Sequence, residues 1–310
     1  MPQSIVALVK IRAVHIQNPI RNIMALRTAH CEERAALQLE RLPAHQVNDV
    51  RANSMHLSAV PLLHRIFVQR IEVFMIAVQE QDSKRQGFQP VELRIVALIA
   101  MPNKPKIVVG ENVINLERME KGEVLKTIKK DLAAAGYVVK VWKMFAPDYG
   151  IPQRRTRLII MCVRKDIFDK YGFPEEPEAR FKDKHRSIEW AIGDLVDVTD
   201  NSVIPNQGDY FGASKAKKGN GQGDESNKKD MPAYTIRANP KSRVQFHYSL
   251  DRRLTVRECA RIQTFPDDFS FKFSKTVNIS QIGNAVPPIM AYLVAQRVKQ
   301  YLDKIGGVEK

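Results

Sequence analysis

Glycine is absent from the first 86 residues of this chain, and the same stretch contains no tyrosine or tryptophan. Lys10 is the only lysine before residue 84, whereas five of the seven histidines of the chain fall there. A globular stretch of this length ordinarily uses glycine wherever φ must be positive, at tight turns and helix ends. Residues 1–83 therefore differ in kind from the rest of the chain. Their apolar segment Val60–Val78 favours helix, since it shows no alternating strand pattern.

Cysteine is scarce too, because the chain has three, Cys31, Cys162 and Cys259, far apart and without a CxxC pair. This pattern excludes a disulfide framework and a thiolate metal site, and it predicts a protein of the reducing cytoplasm. The histidines before residue 84 lack the i, i+4 spacing with an acidic ligand, so no metal is expected. The apolar runs have the length of strands, and the start lacks the features of a signal peptide. The sequence therefore predicts no membrane segment and no export.

Positive charge is in excess, with 49 Lys and Arg against 34 Asp and Glu and a net charge of +15. Such a chain favours a polyanionic partner, because neutralising phosphates releases their counterions. With 44% hydrophobic residues it can also bury a substantial core. Nucleic acid is the partner that composition favours first.

Strand and helix patterns alternate after residue 88, which indicates an α/β fold with a parallel sheet. A polar stretch rich in glycine, lysine and asparagine, 202–230, predicts a loop between ordered parts. The predicted strands are Lys106–Val109, Tyr137–Trp142 and Leu158–Val163, and the predicted helices are Gly122–Ala135 and Pro288–Leu302.

A first chemical motif lies in KPKIVVGENV, where Glu111, Asn112 and Val113 come just beyond a predicted buried strand. In open α/β sheets, ligands bind at such strand ends. Burial favours the protonated form of a carboxyl group, so a glutamate here can share a proton with a ligand. The alternative is a loop glutamate that caps the following helix.

A second motif, DYGIPQRRTRLIIMCV, places Gln153, Arg155 and Arg157 just before a strand. Alternate residues of extended backbone point the same way, so the two arginines can share a face. The alternative is a basic edge strand in solvent.

Two further motifs lie near the end of the chain. In RRLTVRECARIQTFPDDFSF, Thr255 is a predicted N-cap with Glu258 completing a capping box, and Phe265-Pro266 ends the helix. Cys259 inside this helix and Cys162 inside a strand are predicted to be small core residues. In QIGNAVPPIMAYLVAQ, residues 283–286 are predicted to form a tight turn before the last helix.

Taken in order, these four motifs resemble the DNA (cytosine-5) methyltransferase family of restriction-modification systems, over roughly residues 84–302. The resemblance implies a Rossmann-like methyltransferase domain, incomplete in its N-terminal part, with a smaller DNA target-recognition domain. The domains expected are 84–170 with 272–310 for catalysis and 171–271 for target recognition. Residues 1–83 remain an atypical segment without family motifs.

The resemblance also implies roles for individual residues. Glu111 would bind a flipped cytosine, and Arg155 and Arg157 would lie beside the flipped nucleotide. Gln153, from the same motif, is expected at the DNA. Backbone of the QIGNAV motif would line the pocket of S-adenosylmethionine, and the cofactor-binding residues implied are Asn284, Ala285 and Val286.

The variable stretch PAYTIRANPKSRVQFHY corresponds to the part of the family that reads DNA sequence. Arg237, Lys241 and Arg243 have the charge and reach to contact phosphates or guanine edges of double-stranded DNA, and Asn239 can address adenine. The alternative for each of them is a solvated basic loop.

Two family elements are not found. The stretch SKRQGF resembles the segment that comes after a Pro-Cys nucleophile loop in the family, yet FMIAVQEQD before it has no cysteine, and Cys31 is too distant. The glycine-rich cofactor turn is also missing, since the first glycine is Gly87. A shift of the coding frame upstream would explain both losses.

The missing elements leave three interpretations of the chain. The first is a methyltransferase that does not turn over alone. The second is a non-catalytic DNA-recognition subunit whose complementary partner carries the N-terminal motifs. The third is a pseudogene product that folds poorly.

Overall fold

The fold is described from a computed structural model, which describes residues 9–10, 73–77, 105–212 and 224–306. The expectations for Cys31, for the N-terminal histidines and for most of residues 1–104 lie outside these described residues. Where the described ranges enter the Val60–Val78 segment, they contain a strand, Val73–Ala77, and the prediction of helix there was wrong. Parallel strands are ordinarily covered on both faces and carry a continuous apolar run, so no alternation marks them in the sequence.

A mixed sheet forms the centre of the described structure, with strand order β1-β2-β3-β5-β4. Neighbours β1–β2 and β2–β3 are parallel, whereas β5 runs antiparallel to both β3 and β4. The strands are β1 (Val9–Lys10), β2 (Val73–Ala77), β3 (Ile107–Val113), β4 (Tyr137–Phe145) and β5 (Thr156–Arg164).

The prediction of a parallel sheet was therefore wrong for β5. Parallel neighbours need a crossover connection, usually a helix, whereas antiparallel neighbours can be joined directly. The chain returns from β4 to β5 through a short 3-10 turn, Ala146–Tyr149, and a few extended residues. This direct return makes the β4–β5 pair antiparallel and places β5 between β3 and β4.

Six α-helices complete the described parts. The first, α1, buries Val124, Ile128 and Leu132 at i, i+4, i+8, and Gly136 comes after it with φ +92°, a conformation that glycine favours at helix ends. The last, α6, continues beyond its predicted end to Gly306. The helices are α1 (Glu123–Ala134), α2 (Lys165–Tyr171), α3 (Ile188–Ile192), α4 (Val256–Ile262), α5 (Lys275–Asn284) and α6 (Pro288–Gly306).

The two faces of the sheet are covered by different helices. In β5 alternate side chains separate, with Met161 on the face packed by α6 and Cys162 on the face packed by α1. Both faces are therefore apolar, and β5 reads as an unbroken hydrophobic run. This packing fixes the ends of β3 and β5, where the candidate site lies.

A further core gathers α3, α4 and α5 with the segments between them. The capping box predicted for α4 is confirmed, since the Thr255 hydroxyl accepts from Glu258 N and the Glu258 carboxylate accepts from Thr255 N. The described parts of the predicted loop 202–230 contain no helix or strand. Among the described helices, none has the length and apolar character that a bilayer span requires.

Candidate active site and DNA interface

A buried ion pair joins the adjacent ends of β3 and β5. The Nε of Arg157 lies 2.7 Å from Oε1 of Glu111, and the two side chains are only 10% and 11% exposed. In the antiparallel register Arg157 faces Val113 and Glu111 faces Ile159, so the pair is diagonal across the ladder, within reach of long side chains. The family resemblance implied that Glu111 and Arg157 lie at one site. In the structure their side chains are in direct contact.

Two details of this region differ from the sequence expectation. Glu111, Asn112 and Val113 are the last residues of β3 itself rather than residues beyond it. The alternative of a capping glutamate is wrong, because Val113 is the N-cap of the following 3-10 turn and no side chain caps it. Asn112 is buried, and its Oδ1 accepts from Val113 N at 2.7 Å.

Burial at this strand end affects the guanidinium groups. It lowers the pKa of Arg157, an effect that the charge and hydrogen bond of Glu111 oppose. Arg157 Nη1 also donates to the carbonyl of Thr156 at 2.8 Å. The group is therefore held in one orientation by a carboxylate and a carbonyl.

Arg155 is placed differently from Arg157. It is 2% exposed, and its guanidinium donates to the carbonyls of Ile236 at 3.2 Å, Gly283 at 2.9 Å and Ala285 at 3.0 Å. Burial, and secondarily the charge of Arg157, lower the pKa of Arg155 to about 9. The alternative of a basic edge strand in solvent is wrong, since the arginines are buried and β5 is an inner strand.

Gln153 is fully buried as well. Its amide oxygen accepts from Ile236 N at 3.0 Å, and its amide nitrogen donates to Gln263 Oε1. Gln263 in turn donates to the carbonyls of Ile282 at 3.0 Å and Ala285 at 2.7 Å. Sequence reasoning missed Gln263, because a glutamine after a short helix gives no signal of its partners.

These contacts form a polar clamp, defined here as the side chains of Gln153, Arg155 and Gln263. The clamp joins the start of β5, the end of α4, the end of α5 and the stretch around Ile236. Gln153 and Arg155 therefore position other segments in this structure. Their side chains were expected to face the DNA, but they are buried.

Residues 283–286 do not form the predicted tight turn, because Gly283 and Asn284 are the last residues of α5. Position 283 nevertheless requires glycine, because another segment of backbone passes too close to leave room for a side chain. A Cβ there would lie 2.4 Å from the backbone of Arg237 and of Ala238. The segment that approaches this glycine is the recognition stretch, defined here as residues 232–248.

The S-adenosylmethionine expectation can be tested on Asn284, Ala285 and Val286, which are all partly exposed. The carbonyl of Ala285 is already taken by Arg155 and Gln263, and Val286 packs against the core of the sheet. These residues offer a cofactor one amide side chain and one apolar side chain. These side chains suit one wall of a cofactor pocket, and their contact with S-adenosylmethionine stays a prediction.

Changing Gly283 to alanine is expected to lower the free energy of unfolding by about 1–3 kcal/mol, as overpacking of a tight interior does. The added methyl group would meet backbone, which cannot rotate away as a side chain can. Urea denaturation measures the effect. Gly212 to alanine is the control, since no atom of the described residues lies within 4 Å of a Cβ at that position. Equal midpoints for the two variants would contradict the expectation.

The recognition stretch runs beside residues 152–155. Ala233 forms an isolated bridge with Gln153, and Arg154 stacks over the ring of Tyr234 at 4.3 Å. The predicted DNA-contacting residues Arg237, Asn239 and Lys241 are exposed, and Asn239 Oδ1 accepts from the backbone of Lys241. Arg243 is half-buried, and its Nη1 lies 2.7 Å from Oε1 of Glu225.

The two cysteines within the described residues are confirmed as core residues. Cys162 is 1% exposed and Cys259 is fully buried. Burial raises the pKa of the Cys162 thiol to about 12, and burial also raises the pKa of Cys259. Burial thus disfavours the thiolate form of both groups, which does not suit either of them to be a nucleophile.

The sheet, its helices and the buried carboxylate–guanidinium pair at adjacent strand ends define an α/β protein with a candidate site at those strand ends. The sequence profile of the C-5 cytosine-specific DNA methylases matches residues 85–215 and 199–300. The chain belongs to this family.

Two relatives of known name show the degree of similarity. The type II methyltransferase M.BspRI of Lysinibacillus sphaericus is 33% identical over 231 residues, which are 65% of this chain and 52% of that protein. The type II methyltransferase M.BsuRI of Bacillus subtilis is 34% identical over 230 residues, 64% of this chain and 50% of that protein. The chain spans about half the length of these relatives.

The fold is also similar to that of a solved structure. A prophage-encoded E. coli protein assigned as a DNA modification methyltransferase has a TM-score of 0.52 and 16% sequence identity, covering 86% of this chain and 85% of that one. At this identity the likeness concerns the fold alone.

Proposed function

We propose that this chain is a DNA (cytosine-5-)-methyltransferase of a restriction-modification system, and that the described residues supply its cytosine-binding and DNA-recognition parts. The reaction moves a methyl group from S-adenosylmethionine to C5 of a cytosine flipped out of double-stranded DNA. The observation that carries the proposal is the buried ion pair of Glu111 and Arg157 at adjacent strand ends. Its support is the membership of the family and the basic recognition stretch beside it.

The roles follow from the chemistry of a pyrimidine edge. Glu111 can accept a hydrogen bond from the amino group of cytosine and share a proton with its ring nitrogen. Arg157 orients that carboxylate through the 2.7 Å contact. S-adenosylmethionine supplies the methyl group when bound, and Asn284 and Val286 would hold it on one side. Arg155 positions the segments around this site rather than touching the base.

A second function is favoured by the state of the thiols. Because Cys162 and Cys259 are buried and no Pro-Cys loop is found, the chain can act as a non-catalytic DNA-recognition subunit of a split methyltransferase. Its complementary partner would then carry the nucleophile and the cofactor turn. The two candidates share the site on this chain and differ in whether the chain forms a bond to DNA.

Covalent trapping separates the two candidates. The full chain is incubated with S-adenosylmethionine and a duplex pool in which 5-fluorocytosine replaces cytosine. Binding without a stable adduct would favour the non-catalytic recognition subunit. An adduct that survives denaturation would establish a nucleophile on this chain and favour the complete enzyme. Absence of any duplex binding would contradict both.

Exchanging Glu111 for glutamine is expected to abolish base flipping while general duplex affinity changes little. Glutamine keeps the shape but cannot share a proton, and a hydrogen bond to a charged group corresponds to roughly a 10- to 100-fold effect. Affinity for duplex rests mainly on phosphate contacts, which the variant keeps. The measurement is the fluorescence of a pyrrolocytosine-containing duplex pool, which rises when the base leaves the stack.

The control for this variant is Glu117 to glutamine. Glu117 forms an exposed ion pair with Lys143 at 3.1 Å, so the control removes a similar pair outside the candidate site. An E111Q protein that raised the fluorescence as the parent chain does would contradict the role given to Glu111.

A further inference from the structure

A carboxylate lies among the basic side chains of the recognition surface. Glu225 Oε1 accepts from Arg243 Nη1 at 2.7 Å, and Glu225 Oε2 accepts from the hydroxyl of Tyr234 at 3.0 Å. Arg154 stacks over the ring of the same tyrosine at 4.3 Å. Both carboxylate oxygens are thus engaged. We call these four side chains the Glu225 frame.

The backbone holds this frame together. Glu225 N donates to the carbonyl of Arg243 at 2.8 Å, and next to it Ser226 and Phe246 form an isolated bridge. The two partners of the ion pair are therefore anchored to each other through main chain as well as side chain. Hydrogen bonds from Arg243 and Tyr234 also hold the pKa of Glu225 below its usual value.

Stability of the fold does not explain the frame. The Glu225 and Arg243 side chains are 48% and 31% exposed, and ion pairs with such exposure contribute little to folding. A carboxylate beside cations that meet phosphates also weakens the general attraction to DNA. The frame does provide a fixed direction for the Arg243 guanidinium.

We propose that Glu225 is a specificity-determining residue, which fixes Arg243 as a directional donor to the edge of a guanine in the major groove. A phosphate contact needs only a charge within reach, whereas a guanine edge is read by an oriented guanidinium that meets O6 and N7. This inference rests on the proposed function. It adds a residue that the sequence motifs did not mark and names the base that Arg243 reads.

Selection from a pool of duplexes with a randomised central segment tests the proposal, with the bound fraction sequenced for each full-length variant. The parent chain is expected to enrich a motif. The E225A protein should lose preference for G·C over A·T at one position of that motif by about tenfold or more. Its affinity for the unselected pool should rise at the same time, with a steeper dependence on salt, because the variant removes a negative charge that opposes phosphate binding.

Two further variants separate orientation from charge. R243K keeps the positive charge but lacks the planar guanidinium group with its paired donors. It should therefore lose the base preference at the same position of the motif as E225A does. E178A is the matched control, because Glu178 forms an exposed pair with Arg180 at 2.8 Å, and its motif should equal that of the parent.

The outcomes distinguish this inference from the proposed function. If the parent chain enriches no motif, the DNA-recognition function itself fails and the inference falls with it. If the parent enriches a motif that E225A and R243K both retain at every position, only the role of Glu225 is overturned. A uniform loss of affinity in E225A, without a change of motif, overturns it as well, since that is the result of a merely structural role.

Discussion

Replacement of Arg155 by methionine is expected to lower the free energy of unfolding by about 2–4 kcal/mol, although methionine suits the volume of this buried position. The variant removes the donors for the carbonyls of Ile236 and Gly283. The carbonyl of Ala285 keeps a donor, because Gln263 remains bonded to it. Each buried carbonyl left without a partner costs about 1–3 kcal/mol, and relief from burying a charge offsets part of the total.

The same variant should loosen the recognition stretch locally. Arg155 connects Ile236 to the end of α5, so hydrogen exchange of the amides in 233–238 should accelerate more than that of β5. Urea denaturation gives the global effect. R180M is the control, since Arg180 is exposed and paired only with Glu178 among the described ion pairs, and it should stay within about 0.5 kcal/mol of the parent. An R155M protein as stable as R180M would show that the polar clamp does not hold these segments together.

Much of the local structure could be predicted from sequence, because short-range patterns determine it. The capping box of Thr255 and Glu258 is set by residues three apart, and the apolar stripe of α1 by a repeat of four. The core position of Cys162 follows from its place within a buried apolar strand. In each case the partners that decide the outcome are neighbours in the chain.

The polar clamp shows what could not be predicted. Arg155 bonds to carbonyls 81 and 128 residues away, and any carbonyl can accept, so the sequence around an arginine does not name its acceptor. Two arginines two positions apart were expected on one face, yet Arg157 meets a carboxylate and Arg155 meets backbone. The insertion of β5 between β3 and β4 has the same origin, because strand order depends on contacts far apart in sequence.

Glu258 provides the second large effect, since its carboxylate is fully buried at the start of α4. It accepts two hydrogen bonds from Arg252, at 2.8 and 2.7 Å, as well as the backbone bond of the capping box. Gln207 donates to it at 3.3 Å, and the Nε2 of the buried His247 lies 3.8 Å from it. Burial alone would lower the pKa of Arg252, but the hydrogen bonds and the charge of Glu258 outweigh it and raise that pKa.

We therefore expect Glu258 to alanine to lower the free energy of unfolding by about 3–5 kcal/mol, the cost of removing one partner of a buried ion pair. Glutamine should cost less, about 1.5–3 kcal/mol, because it keeps the volume and the backbone acceptor but not the charge. The control is Glu189 to alanine, also in the first turn of a helix but exposed and paired with Lys229, which should cost at most about 1 kcal/mol. Equal unfolding midpoints in urea for E258A and E189A would show that this buried carboxylate does not hold the recognition stretch against α4. Since His247 lies in that stretch and Arg252 just beyond it, an effect of the expected size would show that the recognition stretch is anchored to the core beneath it.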